Sequence, residues 1–338
     1  MLAYWQVRLA FLALSALTYV FTCTASAEDK NDANNDASAL PTYRSTVSEV
    51  RVAFYATDEN NHALATLTKS DFAVVDNGLV VRNFRSFAHS DETSLDVVAL
   101  IDLSESVASR SRVVMSAVLQ LVAQEQSIPD DNIAVLSFGG TFGGTSGATS
   151  AALRPAILCS SGCHAADSAS KLLAVKSGGT TPLFDALVFA ADFIAQHRRA
   201  GARPVLILFS DGNDTISLHS APEALQAVLD EGALIYSVDM GTSANQASYR
   251  ISGSTFLRQL SEATGGRYFS FSLRSSQQDG APATVLTTVL EDLRASYVVA
   301  YDLPQHQDGF HSLRLLPTHN LNLTFHSRNG YFYERSIR

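Results

Sequence analysis

The chain has 338 residues, 46% of them apolar, which excludes wholesale disorder and is ample for one large core with or without a smaller companion. Lys and Arg number 24 against 33 Asp and Glu, a formal net charge of −9. That sign opposes a phosphate backbone, and no Lys/Arg cluster with interleaved aromatics occurs, so the composition argues against nucleic acid and for a cation as guest.

Residues 1–27 stand apart. Arg8 is their only charged side chain, Leu9 to Phe21 is almost wholly apolar, and Ala25-Ser26-Ala27 has the small-x-small form of a signal peptidase site. They read as an export signal. As a retained anchor the stretch falls short of the roughly 20 apolar residues that span a bilayer, and Thr22 is bulkier than the small residue usual before a lipidated cysteine at position 23. No later segment reads as a membrane helix, so cleavage leaves no span, and a periplasmic or extracellular chain with one positive charge fewer.

Residues 28–43, "EDKNDANNDASALP" and its flank, are polar and turn-forming and read as a flexible leader. From 44 to 92, short runs alternate apolar and polar residues, and Asp76-Asn77-Gly78 between two of them is a hairpin signal. The pattern changes at Leu95. "LDVVALID" is a nearly continuous apolar run, as in a strand buried on both faces of a parallel sheet. Helical spacing follows in "SRSRVVMSAVLQLVAQEQ", through Val114, Ala117, Val118 and Leu121.

Strands and helices then alternate to about residue 295, which predicts an α/β, doubly wound, mostly parallel Rossmann-like sheet with helices on both faces. From Ser296 the helical period vanishes and strand-like alternation returns. The expected organisation is therefore an N-terminal β segment (44–92), an α/β domain (93–295) and a C-terminal β segment (296–338). The two β segments pack into one small domain, and 94–295 folds alone.

Cys159 and Cys163 remain after export. In an oxidising compartment they read as a local disulfide; zinc with His164 is the alternative, and it lacks a fourth ligand nearby. The Gly-rich stretch from Gly139 lacks the G-K-[ST] ending of a phosphate loop and reads as flexible.

Chemistry concentrates in "LIDLSESV". Asp102, Ser104 and Ser106 alternate at the mouth of a buried strand, where open α/β sheets bind ligands. One carboxylate and two hydroxyls converging there are hard donors suited to Mg²⁺, Mn²⁺ or Ca²⁺. Two other loops contribute: Thr181 in "SGGTTPLFDAL", with Thr180 as fallback, and Asp211 in "LILFSDGND". Ordinary explanations exist for each. Ser104 or Ser106 can cap the next helix, and Thr181-Pro182 reads as an N-cap followed by proline at the first helical position. Glu105 and Asp214 read as solvated loop charges or a second, weaker cation position.

D-x-S-x-S, a threonine in "GGTTPLFDAL" and Ser210-Asp211-Gly212 after an apolar strand together resemble the metal-ion-dependent adhesion site of von Willebrand factor type A domains. With "LTKSDFAVVDNG", "LSEATGGRYF" and "GYFYE", residues 45 to 335 resemble the secreted bacterial, acidobacterial-type branch of that family. The resemblance implies direct metal contacts from the Ser104 and Ser106 hydroxyls, with Asp102 and Asp211 acting through water. Thr181 enters or leaves with conformational state, and a partner's Asp or Glu fills the remaining position.

The expected function is thus an exported, non-enzymatic adhesion module for a protein ligand. The alternatives are a metal-dependent phosphate-ester hydrolase and a purely structural secreted protein. No G-x-S-x-G elbow, zincin helix or Walker motif occurs.

Overall fold

Alternation along EVRVAFYAT makes β1 (Glu49–Thr57), which buries Val52, Phe54 and Ala56 on one face. β2 (Phe72–Asp76) and β3 (Leu79–Val81) form a hairpin through Asn77 and Gly78, both at positive φ as a type I′ turn requires. β4 (Ser86–His89) follows. β5 (Leu95–Asp102), buried at all eight positions, opens the α/β part and leads through a 3-10 turn at Glu105–Val107 into α1 (Ala108–Glu125).

Next come β6 (Asn132–Phe138), β7 (Gly140–Phe142), β8 (Ala156–Cys159), β9 (Val175–Ser177) and α2 (Leu183–His197). β10 (Arg203–Ser210), α3 (Ala221–Asp230), β11 (Leu234–Asp239), α4 (Ala247–Thr264), β12 (Tyr268–Ser270) and α5 (Pro282–Arg294) complete this part. The chain ends in β13 (Tyr297–Asp302), β14 (Gly309–Pro317), β15 (Thr324–Ser327) and β16 (Gly330–Tyr333).

This computed structural model describes residues 49–89, 94–125, 132–142, 155–161, 163, 170–171, 174–241, 247–271 and 282–333. The expected export signal, the leader, His164 and the Gly-rich residues 143–150 lie outside them.

The central sheet has the order β12-β11-β10-β5-β6-β8; its first five strands are parallel and β8 runs antiparallel to β6. α1 and α5 cover one face through Val114, Val118, Val285 and Val289. α2, α3 and α4 cover the other through Leu187, Ala190, Val228 and Leu257. Each fully buried aliphatic contributes about 1.5–3 kcal/mol. The mostly parallel, doubly wound architecture read from the strand and helix alternation is the one observed.

Two four-stranded antiparallel sheets, β15-β1-β13-β4 and β16-β14-β2-β3, draw strands from both ends of the chain. Their shared core is aromatic: Phe54 lies 4.9 Å from Phe72 and 5.8 Å from Tyr297, ring centre to ring centre.

The connection from Phe138 to Lys176 departs from the irregular, flexible reading. β7 pairs with β9 from Gly140↔Ser177 to Phe142↔Val175, and β8 adds an edge strand to the central sheet. These segments are only three or four residues long and carry no alternation that sequence could reveal. A disulfide joins Cys159, the last residue of β8, to Cys163, with Cα atoms 5.8 Å apart.

Candidate metal centre

Asp102 ends β5 at the carboxyl edge of the sheet and is fully buried. Its Oδ1 accepts the Ser104 N–H at 2.9 Å, the side-chain-to-backbone bond by which aspartate shapes a turn. Its Oδ2 accepts the Ser210 hydroxyl at 2.7 Å from the end of neighbouring β10. Ser210 Oγ in turn accepts the Gly212 N–H at 3.1 Å. Burial pushes the Asp102 carboxyl up to about 7, and the Asp211 charge adds to the rise against the bonds from Ser104 and Ser210.

The Ser104 and Ser106 hydroxyl oxygens lie 3.3 Å apart. Ser104 occupies the N-cap position of the 3-10 turn, yet its side chain makes no capping bond. Gly139, at φ +73, packs against its backbone so closely that a β-carbon there would sit 2.9 Å from Ser104 N.

Thr181 is buried and Thr180 exposed. The loop before α2 is laced to the Asp102 loop by Gly178 N–H to Leu103 O at 2.8 Å and Glu105 N–H to Gly179 O at 3.4 Å. It is tied to the loop after β10 by a reciprocal pair. Thr181 N–H donates to Thr215 Oγ1 at 2.8 Å, and Thr215 N–H donates to Thr181 O at 2.9 Å.

The capping explanation for Thr181 is corrected here. Pro182 itself holds the N-cap position of α2 and no side chain caps from it. The exposed N–H groups of the first turn go instead to Asp214 Oδ1, from Phe184 at 3.2 Å, and to Ser217 Oγ, from Asp185 at 3.1 Å. Asp214 is therefore a helix-capping residue from another loop, not a solvated charge; a cap supplied across the fold carries no local sequence signature.

Asp211 is 1% exposed. Its Oδ1 accepts the Asn213 N–H at 3.1 Å, whereas Oδ2 is buried with no hydrogen-bond partner among the described residues. The loop is pressed onto α4 at two glycines. Gly212 has φ +77, and a β-carbon on Gly253 would lie 2.2 Å from Asp211 O. Asp239, opposite Ser210 on β11, is already engaged by Tyr268 Oη at 2.6 Å, Ser254 Oγ at 2.5 Å and Gly241 N at 2.7 Å.

Asp102, Ser104, Ser106 and Asp211 thus share one rim, with Thr181 tethered beside them. No group of three His, Cys, Asp or Glu placed to hold a metal occurs among the described residues. The residues fit a hard divalent cation: all donors are oxygens, one carboxylate oxygen is unpartnered, and a second carboxyl is held up by burial and by its neighbour's charge. Ser210, Thr215, Asp214 and Gly253 act by placing these groups. Of these, only Ser210 stood inside a motif.

A doubly wound sheet at whose carboxyl edge the loops after β5 and β10 meet the loop that leads into α2 defines a Rossmann-like ligand-binding domain. The profile of the von Willebrand factor type A domain matches residues 96–278, and the chain belongs to that family.

Among solved structures, a pilus adhesin, SpaC of Lactobacillus rhamnosus GG in an open conformation, is similar at 13% identity and a TM-score of 0.46. That match covers 72% of this chain and 34% of the adhesin; this chain spans about a third of that protein's length. An aerotolerance-related membrane protein of Bacteroides fragilis is similar at 11% identity, TM-score 0.40, over 59% of this chain and 98% of its own. Proximal thread matrix protein 1 of the mussel byssus is similar at 14% identity, TM-score 0.40, over 64% and 51%. No curated protein sequence matches. No helix among the described residues is long and apolar enough to cross a membrane.

Proposed function

We propose that this protein is an exported binding module that recognises a carboxylate of a protein partner through a divalent cation, Mg²⁺ before Mn²⁺ or Ca²⁺. The observation that carries the reading is Asp211 Oδ2, buried and without a hydrogen-bond partner, in the field of the buried Asp102. A buried polar oxygen left without a partner costs about 1–3 kcal/mol, and a cation between the loops removes the cost. Ser104, Ser106 and Thr181 offer neutral oxygens, while Asp102 and Asp211 supply the negative charge.

With hydroxyls as the direct donors and both carboxylates acting through water, a divalent ion keeps much of its electrophilic character. When bound, the ion supplies an electrophilic position that can take an Asp or Glu from outside. This chain's own work is positional: Ser210 and the Ser104 N–H orient Asp102, and Thr215 fixes the Thr181 backbone. Ile216 and Leu218, on the loop that follows Asp211, are 41% and 93% exposed. They offer apolar contact beside the acidic anchor, and the reading needs no catalysis.

The test is titration calorimetry of Mg²⁺ and Mn²⁺ into EDTA-stripped wild type, Asp102→Ala and Asp211→Asn, with an envelope pull-down in Mg²⁺ or EDTA. Micromolar-to-millimolar binding by the wild type alone, and partners lost in EDTA, support the proposal. Equal metal binding by all three proteins refutes it.

A further inference from the structure

The sheet β16-β14-β2-β3 packs one face, with Phe72, Val74, Leu313 and Leu315, into the aromatic core that it shares with β1 and β13. The sheet that contains β1 is covered on both sides. Phe54 enters that same core, and Arg267 lies over the Tyr55 ring at 5.5 Å on the other side. The outer face of β16-β14-β2-β3 stays exposed.

Register gathers its side chains. Phe310 stands opposite Phe332, Arg314 opposite Val75 and Val75 opposite Val80, while Leu316 follows Arg314 on the same side of the pleat. Phe310, Phe332, Leu316 and Val80 are 46%, 47%, 44% and 60% exposed. A run of large apolar side chains left in water on one face marks a contact surface. The two phenyl rings lie 5.2 Å apart, and Phe310 rests over Gly330, where a β-carbon would collide with it. The aromatic end of the patch is thus in place before a partner arrives.

Arg314 is the one charged side chain in these rows among the described residues. It is exposed, and its guanidinium makes no ion pair or hydrogen bond there. Size and charge together define what covers the face. With strands about 4.8 Å apart and about 3.3 Å per residue, the face covers roughly 330 Å², under half of the ~800 Å² per partner of a standard interface. A second copy needs more surface than this. One helix, about 10 Å wide and about 22 Å long at four turns, fits it. A lone strand laid on the face would leave its own backbone groups unpaired, whereas a helix satisfies them internally. Covering Arg314 with apolar side chains alone would strip an unpaired cation of water, so the helix must bring a carboxylate to it.

We propose that the outer face of this sheet docks one amphipathic helix of a protein partner, its apolar stripe on Phe310, Phe332, Leu316 and Val80 and an Asp or Glu against Arg314. The surface needs no cation and is independent of the reading given for the Asp102 rim.

The test uses the chain from residue 28 onward in EDTA, so that the rim takes no part. Three amidated peptides of about 18 residues, five helical turns, serve as probes. One has a leucine stripe with glutamate at its centre, one has lysine at that position, and one is the first scrambled to remove the stripe. Fluorescence anisotropy is expected to show saturable binding of the glutamate peptide and at least tenfold weaker binding of the other two. Arg314→Glu should reverse the preference between glutamate and lysine peptides, with an unchanged circular dichroism spectrum.

Methyl NMR of the wild type gives a readout that depends on no variant: Val75, Val80 and Leu316 should shift with the glutamate peptide, and Leu218 at the rim should not. No saturable binding, equal binding of the glutamate and lysine peptides, full binding of the scrambled one, or shifts centred on Leu218 would overturn the proposal. So would a dimer in sedimentation that excludes the peptide, which assigns the face to a second copy. Binding to phosphatidylglycerol vesicles that Arg314→Glu abolishes would assign it to a membrane and overturn the proposal equally.

Discussion

Asp102→Asn tests the electrostatics of the rim most directly, because its effect should change sign with metal. In the ion-free chain the Asp102 carboxyl titrates at about 7 against 3.8 unfolded. Folding therefore favours the neutral acid. The associated stability is complete below 3.8 and is lost as pH rises to about 7, a total of about 4 kcal/mol by linkage. Asparagine escapes this penalty. It can still accept the Ser104 N–H, but its amide faces Ser210 Oγ, which already accepts from Gly212, so the Ser210 proton loses its acceptor. That loss costs about 1–2 kcal/mol.

In EDTA at pH 8 the variant should therefore be more stable than wild type by about 2–3 kcal/mol; at pH 4 the advantage should vanish. With Mg²⁺ at about 1,000 times Kd the wild type gains about 4 kcal/mol from binding that the variant lacks, and the order inverts. Urea unfolding under the three conditions measures all of this. A variant no more stable than wild type in EDTA at pH 8 would refute the reasoning.

His326 stacks on Tyr55 at 4.5 Å, and burial, aided by the Arg267 charge, lowers it to about 4. It is folded neutral, so stability is lost as pH falls from 6.5 through 4. Relative to His326→Phe, the wild type should lose about 2–3 kcal/mol between pH 7 and 4.5 in urea titrations. Gly253→Ala would gain about 1 kcal/mol from helix propensity alone, but its β-carbon meets Asp211 O at 2.2 Å. The expected outcome is a net loss of about 1–3 kcal/mol and weaker Mg²⁺ binding by calorimetry. Thr215→Val keeps shape but strands the Thr181 N–H, which should cost about 1–3 kcal/mol and weaken metal-dependent partner capture with unchanged circular dichroism. Residues 94–295 expressed alone should keep the helical circular dichroism signal; a random-coil spectrum would show that the α/β part depends on its β flanks.

The alternation of elements was legible because each central strand is an unbroken apolar run and each helix has an apolar stripe, two periods that do not mimic one another. "PVLILFS" and "ALIYSVDM" admit no amphipathic reading, and β10 and β11 are buried throughout. β7, β8 and β9 were not legible. Gly-Thr-Phe becomes a strand only because Val175 to Ser177 lies opposite it, and that pairing spans more than thirty residues of sequence. Local pattern carries no information on contacts of that range.

The rim divides in the same way. Asp102, Ser104, Ser106, Thr181 and Asp211 could be chosen by residue type and by position after an apolar strand. What fixes them could not, because Asp214 caps a helix from a different loop, Thr215 grips a backbone 34 positions away, and Gly253 is needed only because Asp211 O comes so near. This second set determines whether the first can work. Hydroxyl donors gain affinity for a hard ion only if they are held in place beforehand, since each must otherwise lose rotamer freedom when the ion arrives. Substitutions at Thr215 and Gly253, which add or remove no charge, should therefore weaken metal binding through preorganisation, while Asp102→Asn weakens it through charge.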